Sequence, residues 1–219
     1  GTGWTLINPS NPELSGCQNF PYFPRGGPVP KETVATMHKD WQPLGYVSNW
    51  GGMEVGSGML YPVSVVDGLV HMYGGWKLQA ELKWKRFQSQ KQQPCPVGVA
   101  VSSTAGDLTN YERIVHTTPP FYKYDSNPEQ LLHQCYAASF RKAGDATTYI
   151  AVPLLGAGAR GFPVGVACSI AADAALEWMM QQDCDGNGAT IAFGLLEESI
   201  AEQLQYFTRQ RLSVAEGSP

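Results

Sequence analysis

The sequence predicts an α/β fold in which a central, largely parallel sheet carries helices on both faces. Three observations predict it. Short β-branched runs alternate with amphipathic helical patterns through the second half of the chain. A glycine-rich turn, GAGARG at 156–161, joins one such strand to one such helix. The composition, 43% hydrophobic with only 16% charged residues, is that of a chain that buries a core. At 219 residues we read a single domain over 1–219, with an insertion at about 16–62 and a short flexible tail at about 213–219.

The elements follow in order. WTLIN is a short apolar strand, and the Asn, Pro and Ser of NPSNPELSG after it mark a loop. Residues 16–62 are rich in Gly, Pro and aromatics and too long for an ordinary connection, as functional lids and insertions are. Its aromatics Phe20, Tyr22, Phe23, Trp41 and Trp50 suit a lid or a docking surface equally. From about residue 65 the apolar spacing of Val66, Leu69, Val70 and Tyr73 is helical, with Ser64 and Asp67 as a capping signal. VGVAVSS and RIVHTT read as buried strands, and PEQLLHQCYAASFRKAG as an amphipathic helix. Strand TYIAVPLL, helix VGVACSIAADAALEWMM, strand ATIAFGLL and helix EESIAEQLQYFTRQRL complete the chain. QQDCDGNG reads as a turn, and no internal repeat is evident.

Charge and cysteine usage narrow the function. A net charge of −4 leaves no basic face to hold a nucleic-acid backbone by counterion release, so general DNA or RNA binding is disfavoured. A small anionic ligand is compatible with it, because backbone amides at a helix N-terminus bind phosphate without Lys or Arg. Five scattered cysteines with no C-x-x-C pair read as reduced thiols in an intracellular protein, and no Cys/His spacing suits zinc, so no metal is expected. No apolar run reaches the roughly 20 residues of a membrane span, and no signal-peptide pattern opens the chain. Because the chain opens on Gly-Thr-Gly and not on Met, upstream sequence is expected.

Strand, G-x-G-x-x-G and helix is also the order of a dinucleotide-binding Rossmann turn. That turn normally sits on the first strand of its unit, with more strand-helix units behind it. Here it follows residue 155 and only one strand comes after. Asp183 and Asp185 stand where a ribose-binding acid would, but inside the QQDCDGNG turn. Common to every functional reading is a row of small residues exposing backbone amides where a helix dipole begins, an arrangement suited to a diphosphate.

Four segments, in order, resemble those of the macrodomain family. INPSNPEL is similar to its VNAANxxL turn, VDGLVHMYGG to its VDGAIHRAAG helix, CPVGVAVSSTAGDLTNYERIVHTTPP to its long CPTG…VIHTVGP segment, and YIAVPLLGAGARGFP to its IAFPxISTGxYGYP turn. The resemblance runs from Leu6 to about Leu196, interrupted by the insertion, and is strongest to the MacroD-type hydrolase branch. It implies a three-layer α/β/α sandwich with a mixed sheet and a ligand crevice at the carboxyl ends of the strands. It further implies that the ligand is ADP-ribose or an ADP-ribosylated protein, with no cofactor. By the same resemblance Asn11 meets the distal ribose, Asp67 and His71 belong to the hydrolase helix, and Gly156, Ala157, Gly158, Ala159, Arg160 and Gly161 form the diphosphate loop. Phe162 takes the place of the aromatic near the distal ribose.

The residues are consistent with this chemistry. Asp67 and His71 are four apart and share one helix face. A carboxylate there could deprotonate a water attacking C1″ of the distal ribose, with His71 assisting. The alternative for the pair is a helix-capping Asp and a packed His. His116 reads as a structural hydrogen-bonding residue, and His38 and His133 as solvated or packing ones. Departures from the family are the missing strands before β-strand WTLIN, and with them the acidic residue that recognises adenine. YPVSV replaces the triple glycine before VDG, for which Gly51 and Gly52 of NWGGMEVGSG are candidates displaced by the insertion, and Arg160 replaces the usual aromatic. The leading expectation is a monomeric hydrolase that removes mono-ADP-ribose from proteins or deacetylates O-acetyl-ADP-ribose. Its rivals are a non-catalytic ADP-ribose reader and a diverged domain binding another nucleotide.

Overall fold

In the computed structural model the described residues are 3–17, 23–24, 59–60, 65–90, 92–144, 149–183 and 189–216. Expectations resting on His38, Gly51, Gly52, Ser64, Asp185 and most of the 16–62 insertion therefore lie outside them. The elements are β1 Trp4–Pro9, β2 Phe23–Pro24, β3 Met59–Leu60, α1 Val66–Tyr73, α2 Gly75–Gln88, β4 Ala100–Thr104 and β5 Arg113–Thr117. Then come α3 Pro128–Gly144, β6 Tyr149–Pro153, α4 Val164–Asp183, β7 Thr190–Gly194 and α5 Glu198–Glu216.

The five-stranded sheet runs β4-β5-β1-β6-β7, with β4 antiparallel to β5 and the other pairs parallel. This is the mixed, largely parallel sheet expected. β1 shows how the strand period builds the layers. Ile7 points to one face, into a core shared with Val115, Ile150 and Val152 and with residues of α3, α4 and α5. Leu6 packs on the other, against the cluster of Ile114, Val70 of α1, and Leu78 and Leu82 of α2. Helices thus cover both faces and the sandwich has three layers. Tyr136, Phe140 and Leu132 of α3 are fully buried, each side chain contributing roughly 1.5–3 kcal/mol of apolar transfer.

Three boundaries differ from those expected. The helix beginning near 65 breaks at Gly74, because Gly75 sits at φ +69° and the Gly74 carbonyl accepts the Asp107 N–H at 2.9 Å instead of continuing the ladder. The backbone of Gly106 approaches this break so closely that a Cβ there would collide with the Gly74 oxygen. α4 continues through Asp183, which therefore ends a helix and does not lie in a turn. α5 runs to Glu216, into the stretch expected as tail, with Ser213 Oγ donating back to the Gln210 carbonyl at 2.7 Å.

Parallel pairing sets where the site forms. β5, β1 and β6 are adjacent and parallel, so the loops leaving their carboxyl ends meet at one edge of the sheet. These are the Thr118–Phe121 stretch, the Asn turn and the glycine loop. β7, the other parallel neighbour, closes the sheet beyond β6.

Candidate active site

Asn11 organises the turn after β1. Its side-chain oxygen accepts from the Ser15 N–H at 3.1 Å and its amide donates to the Gly16 carbonyl at 3.2 Å, while Leu14 N–H donates to the Asn11 carbonyl at 3.0 Å. The turn brings Gly16, at φ +72°, flat against the His71 imidazole. A Cβ there would lie 2.6 Å from the ring, so this glycine is required by contact as well as by φ.

Asp67 and His71 of α1 face each other as their spacing predicts, with His71 Nε2 3.6 Å from Asp67 Oδ1. Both are buried, Asp67 with 6% exposure. Gln79 of α2 donates to His71 Nδ1 at 3.0 Å and to the His71 carbonyl at 3.0 Å. With Gln79 as donor, Nδ1 is an acceptor and any ring proton sits on Nε2, the nitrogen 3.6 Å from Asp67 Oδ1. Asn8, the last inward-facing residue of β1, donates its amide to Asp67 Oδ1 at 2.8 Å. Burial lifts the Asp67 carboxyl above the ordinary carboxylate range, and His71, Asn8, Arg160 and the Cys17 thiol each pull it back down. Burial and the Asp67 charge together push the Cys17 thiol up, so it stays protonated beside the carboxylate.

His116 is the structural residue expected and is fully buried. Its Nδ1 meets the Asn8 amide at 3.2 Å and its Nε2 meets Ser103 Oγ at 2.8 Å. Burial, with His71 and Lys85 nearby, holds its pKa down at about 3, so the ring is neutral. His133 forms a surface pair with Glu177 at 3.2 Å, as a solvated residue would. Among the described residues no group of three His, Cys, Asp or Glu side chains is placed to hold a metal ion.

The glycine loop reaches the same carboxylate through Arg160. Gly156, at φ +86°, lies under the Phe162 ring, and Leu155 N–H donates to the buried Tyr136 hydroxyl at 2.7 Å. Phe162 N–H turns back to the Gly156 carbonyl at 3.0 Å and Gly161 N–H to the Gly158 carbonyl at 3.1 Å. These bonds do not use the amides of Gly158, Ala159 and Arg160. A Cβ on Gly158 would meet nothing within 4 Å, so no protein neighbour demands glycine there. α4 begins three residues beyond the loop, with its N-terminal dipole at this end. Phe162 is only 2% exposed and packs on Tyr122, ring centroids 4.9 Å apart. It packs between Gly156 and Tyr122 and so supports the loop.

Arg160 bridges the glycine loop and the Asn turn. Its Nη2 donates to the Ser10 carbonyl at 3.1 Å and its guanidinium lies 4.2 Å above the Phe121 ring. The Tyr122 N–H in turn donates to the Arg160 carbonyl at 3.0 Å. Desolvation draws its pKa down to about 10 while Asp67 and Asp125 hold it up, so it remains a cation beside the buried carboxylate. It points inward, not into solvent.

The macro domain family model matches residues 58–171, just over half of the chain. The chain belongs to the macrodomain family. A macro domain-containing protein of Streptomyces nogalater is 36% identical to this macrodomain over 109 residues, 49% of this chain and 59% of that protein. The O-acetyl-ADP-ribose deacetylase of Escherichia coli K12 is 36% identical over 117 residues, 52% of this chain and 63% of its own length. The macrodomain thus spans about three-fifths of these relatives. In three dimensions it is similar to the Oceanobacillus iheyensis macrodomain with ADP, at TM-score 0.64 and 18% identity, covering 97% of this chain and 86% of that one. A Trypanosoma brucei macrodomain in complex with ADP gives 0.55 and 14%, covering 93% and 62%. At these identities the likeness is one of fold.

Asn8, Gln79 and Tyr136 are the members of the site that sequence reasoning missed. Asn8 had a signal: it follows Leu6 at the strand period and so faces a buried layer, where a polar side chain must find partners. Gln79 and Tyr136 had none, because their partners are brought in by tertiary packing.

Proposed function

We propose that this macrodomain binds ADP-ribose in the crevice between the Asn turn and the glycine loop, and hydrolyses ADP-ribosyl bonds there. The observation that carries the reading is the buried Asp67–His71 pair with Arg160, from the glycine loop at the start of α4, acting on the same carboxylate. The loop amides and the α4 dipole hold the diphosphate, which leaves the distal ribose over the Asn turn. Asp67, the carboxylate that His71, Asn8 and Arg160 favour against the cost of burial, takes a proton from water as its oxygen attacks C1″. The bond from C1″ to the modified side chain breaks, the leaving atom takes up a proton, and ADP-ribose and the free side chain remain. His71, with Nε2 3.6 Å from Asp67 Oδ1, tunes the carboxylate electrostatically. The substrates are a mono-ADP-ribosylated protein or O-acetyl-ADP-ribose; for the latter the water attacks the acetyl carbon, the acyl C–O bond breaks, the ribose oxygen takes up the proton, and acetate and ADP-ribose remain. The similarity to the E. coli deacetylase supports this range.

One observation favours the second reading, a non-catalytic reader: Asp67 is 6% exposed, and Arg160 and Cys17 stand beside its carboxylate. Calorimetric titration with ADP-ribose, beside a hydrolysis assay on a mono-ADP-ribosylated protein, separates the two. The hydrolase binds and turns over, and Asp67→Ala abolishes turnover with affinity largely kept. Binding without turnover makes the protein a reader, and no binding at millimolar ligand removes both.

A further inference from the structure

The hydrogen bonds around Asp67 do not end at Asn8; they continue through the sheet to a backbone carbonyl. Ser103 Oγ donates to the Thr104 carbonyl at 3.0 Å, which leaves its oxygen to accept the His116 Nε2–H at 2.8 Å. His116 Nδ1, now an acceptor, takes one hydrogen of the Asn8 amide at 3.2 Å, and Asp67 Oδ1 takes the other at 2.8 Å. Each step fixes the polarity of the next. The chain is built on rigid neighbours, because Asn8 and His116 are register partners in β1 and β5, and His116 is in turn the partner of Val101 in β4.

We propose that His116 is a positioning residue for the Asp67 carboxylate, acting through Asn8. The two ends of a carboxamide are nearly isosteric, so a pocket holds the nitrogen toward a given neighbour only if its hydrogen bonds demand it. Among the described residues Asn8 Oδ1 has no hydrogen-bond partner, and the orientation of the amide rests on what its nitrogen meets. Those contacts are His116 Nδ1 and Asp67 itself. Without the His116 acceptor only Asp67 holds the nitrogen in place, so the amide turns its oxygen toward Asp67 more readily, and a dipole that favours the carboxylate becomes one that opposes it.

The surroundings allow His116 this role at all working pH values. Lys85 of α2 and His71 of α1 face it, and both oppose its protonation. Among the described residues the charged and titratable groups acting on Asp67 are His71 on its own helix, Cys17 from the Asn turn and Arg160 from the glycine loop, and none of them touches Asn8 Oδ1. In this relay His116 exchanges no proton with substrate.

The inference rests on Asp67 as the base of the proposed reaction, but it is testable apart from that reaction. The protein is followed by carbon-detected titration of the Asp67 carboxyl and, separately, by the pH dependence of kcat/KM for release of ADP-ribose from a modified protein. In His116→Phe the Asp67 midpoint rises by about one pH unit and the acid limb of kcat/KM rises with it, while ADP-ribose affinity changes by less than about twofold. His116→Asn, which offers an amide oxygen near the Nδ1 position, restores the midpoint. An unmoved midpoint in folded His116→Phe, or an equal shift in both variants, overturns the proposal. Should neither variant fold, the imidazole nitrogen spectrum of the wild-type protein decides. His116 must remain a neutral Nε2–H tautomer between about pH 5 and 8, and a protonated ring or an Nδ1–H tautomer refutes it. Absence of turnover in the wild type would overturn the hydrolase reading alone, since the carboxyl titration still reports on His116.

Discussion

Replacing Gly156 by Ala tests the loop on which ligand binding depends. Gly156 is at φ +86°, and an added Cβ would stand 2.9 Å from Phe162 Cδ2, 3.1 Å from Leu132 Cδ2 and 3.2 Å from Phe162 Cγ. Leu132 is fully buried and Phe162 is 2% exposed, so neither has space to retreat. The left-handed backbone costs Ala about 1–2 kcal/mol. Crowding two core side chains costs about 1–3 kcal/mol more. The stiffer unfolded chain returns about 0.4–1 kcal/mol. The balance is a loss of about 3 kcal/mol, large against the 5–15 kcal/mol that typically separates folded from unfolded domains. Urea denaturation at neutral pH reads the loss directly, and a change below about 0.5 kcal/mol would refute the packing argument. The partner experiment is Gly158→Ala, whose Cβ meets no protein atom within 4 Å. It should leave stability within about 0.5 kcal/mol of wild type and yet weaken ADP-ribose binding in a calorimetric titration. Unchanged affinity would mean that no ligand lies against that side of the loop.

Two further outcomes are expected. Tyr136→Phe keeps the packing of α3 but strips the Leu155 N–H of its acceptor, and a buried unpaired amide should cost about 1–3 kcal/mol in the same urea assay; a loss near zero would show that another acceptor reaches Leu155. Asp67→Asn should abolish turnover and raise stability at neutral pH, because burial lifts the native carboxyl above its ordinary value of 3.8. Between the ordinary carboxylate pKa and the raised native one the folded protein holds a proton that the unfolded chain has released, so its stability falls as pH rises through that window. Denaturation at several pH values should find the advantage of Asp67→Asn full above the native pKa and fading as pH drops toward the ordinary carboxylate range. An advantage growing toward acid pH would reverse the sign of the argument.

Local chemistry made much of the protein legible in its sequence. The strand and helix periods of 2 and 3.6 are properties of consecutive residues, so β1, β5 to β7 and α3 to α5 fall close to where their patterns lie. The i to i+4 spacing placed Asp67 and His71 together, and the small residues of 156–161 marked a loop leading to a helix start. The break at Gly74 was not legible, because it depends on Gly106 and Asp107 arriving from a distant turn.

Contacts that depend on strand order were beyond the sequence for the same reason. Nothing between Asn8 and His116 in the chain says that 108 residues later a ring will face that amide; the pairing of β1 with β5 decides it. Nor could the chain say where Arg160 points. Parallel placement of β1 beside β6 brings the glycine loop within reach of the Ser10 carbonyl, and the guanidinium, with most of its water removed, settles on that oxygen and on the Phe121 ring. Residue types and short-range periods determined which groups the crevice contains. The order of strands in the sheet, set by packing across distances no local pattern encodes, decided how they face one another.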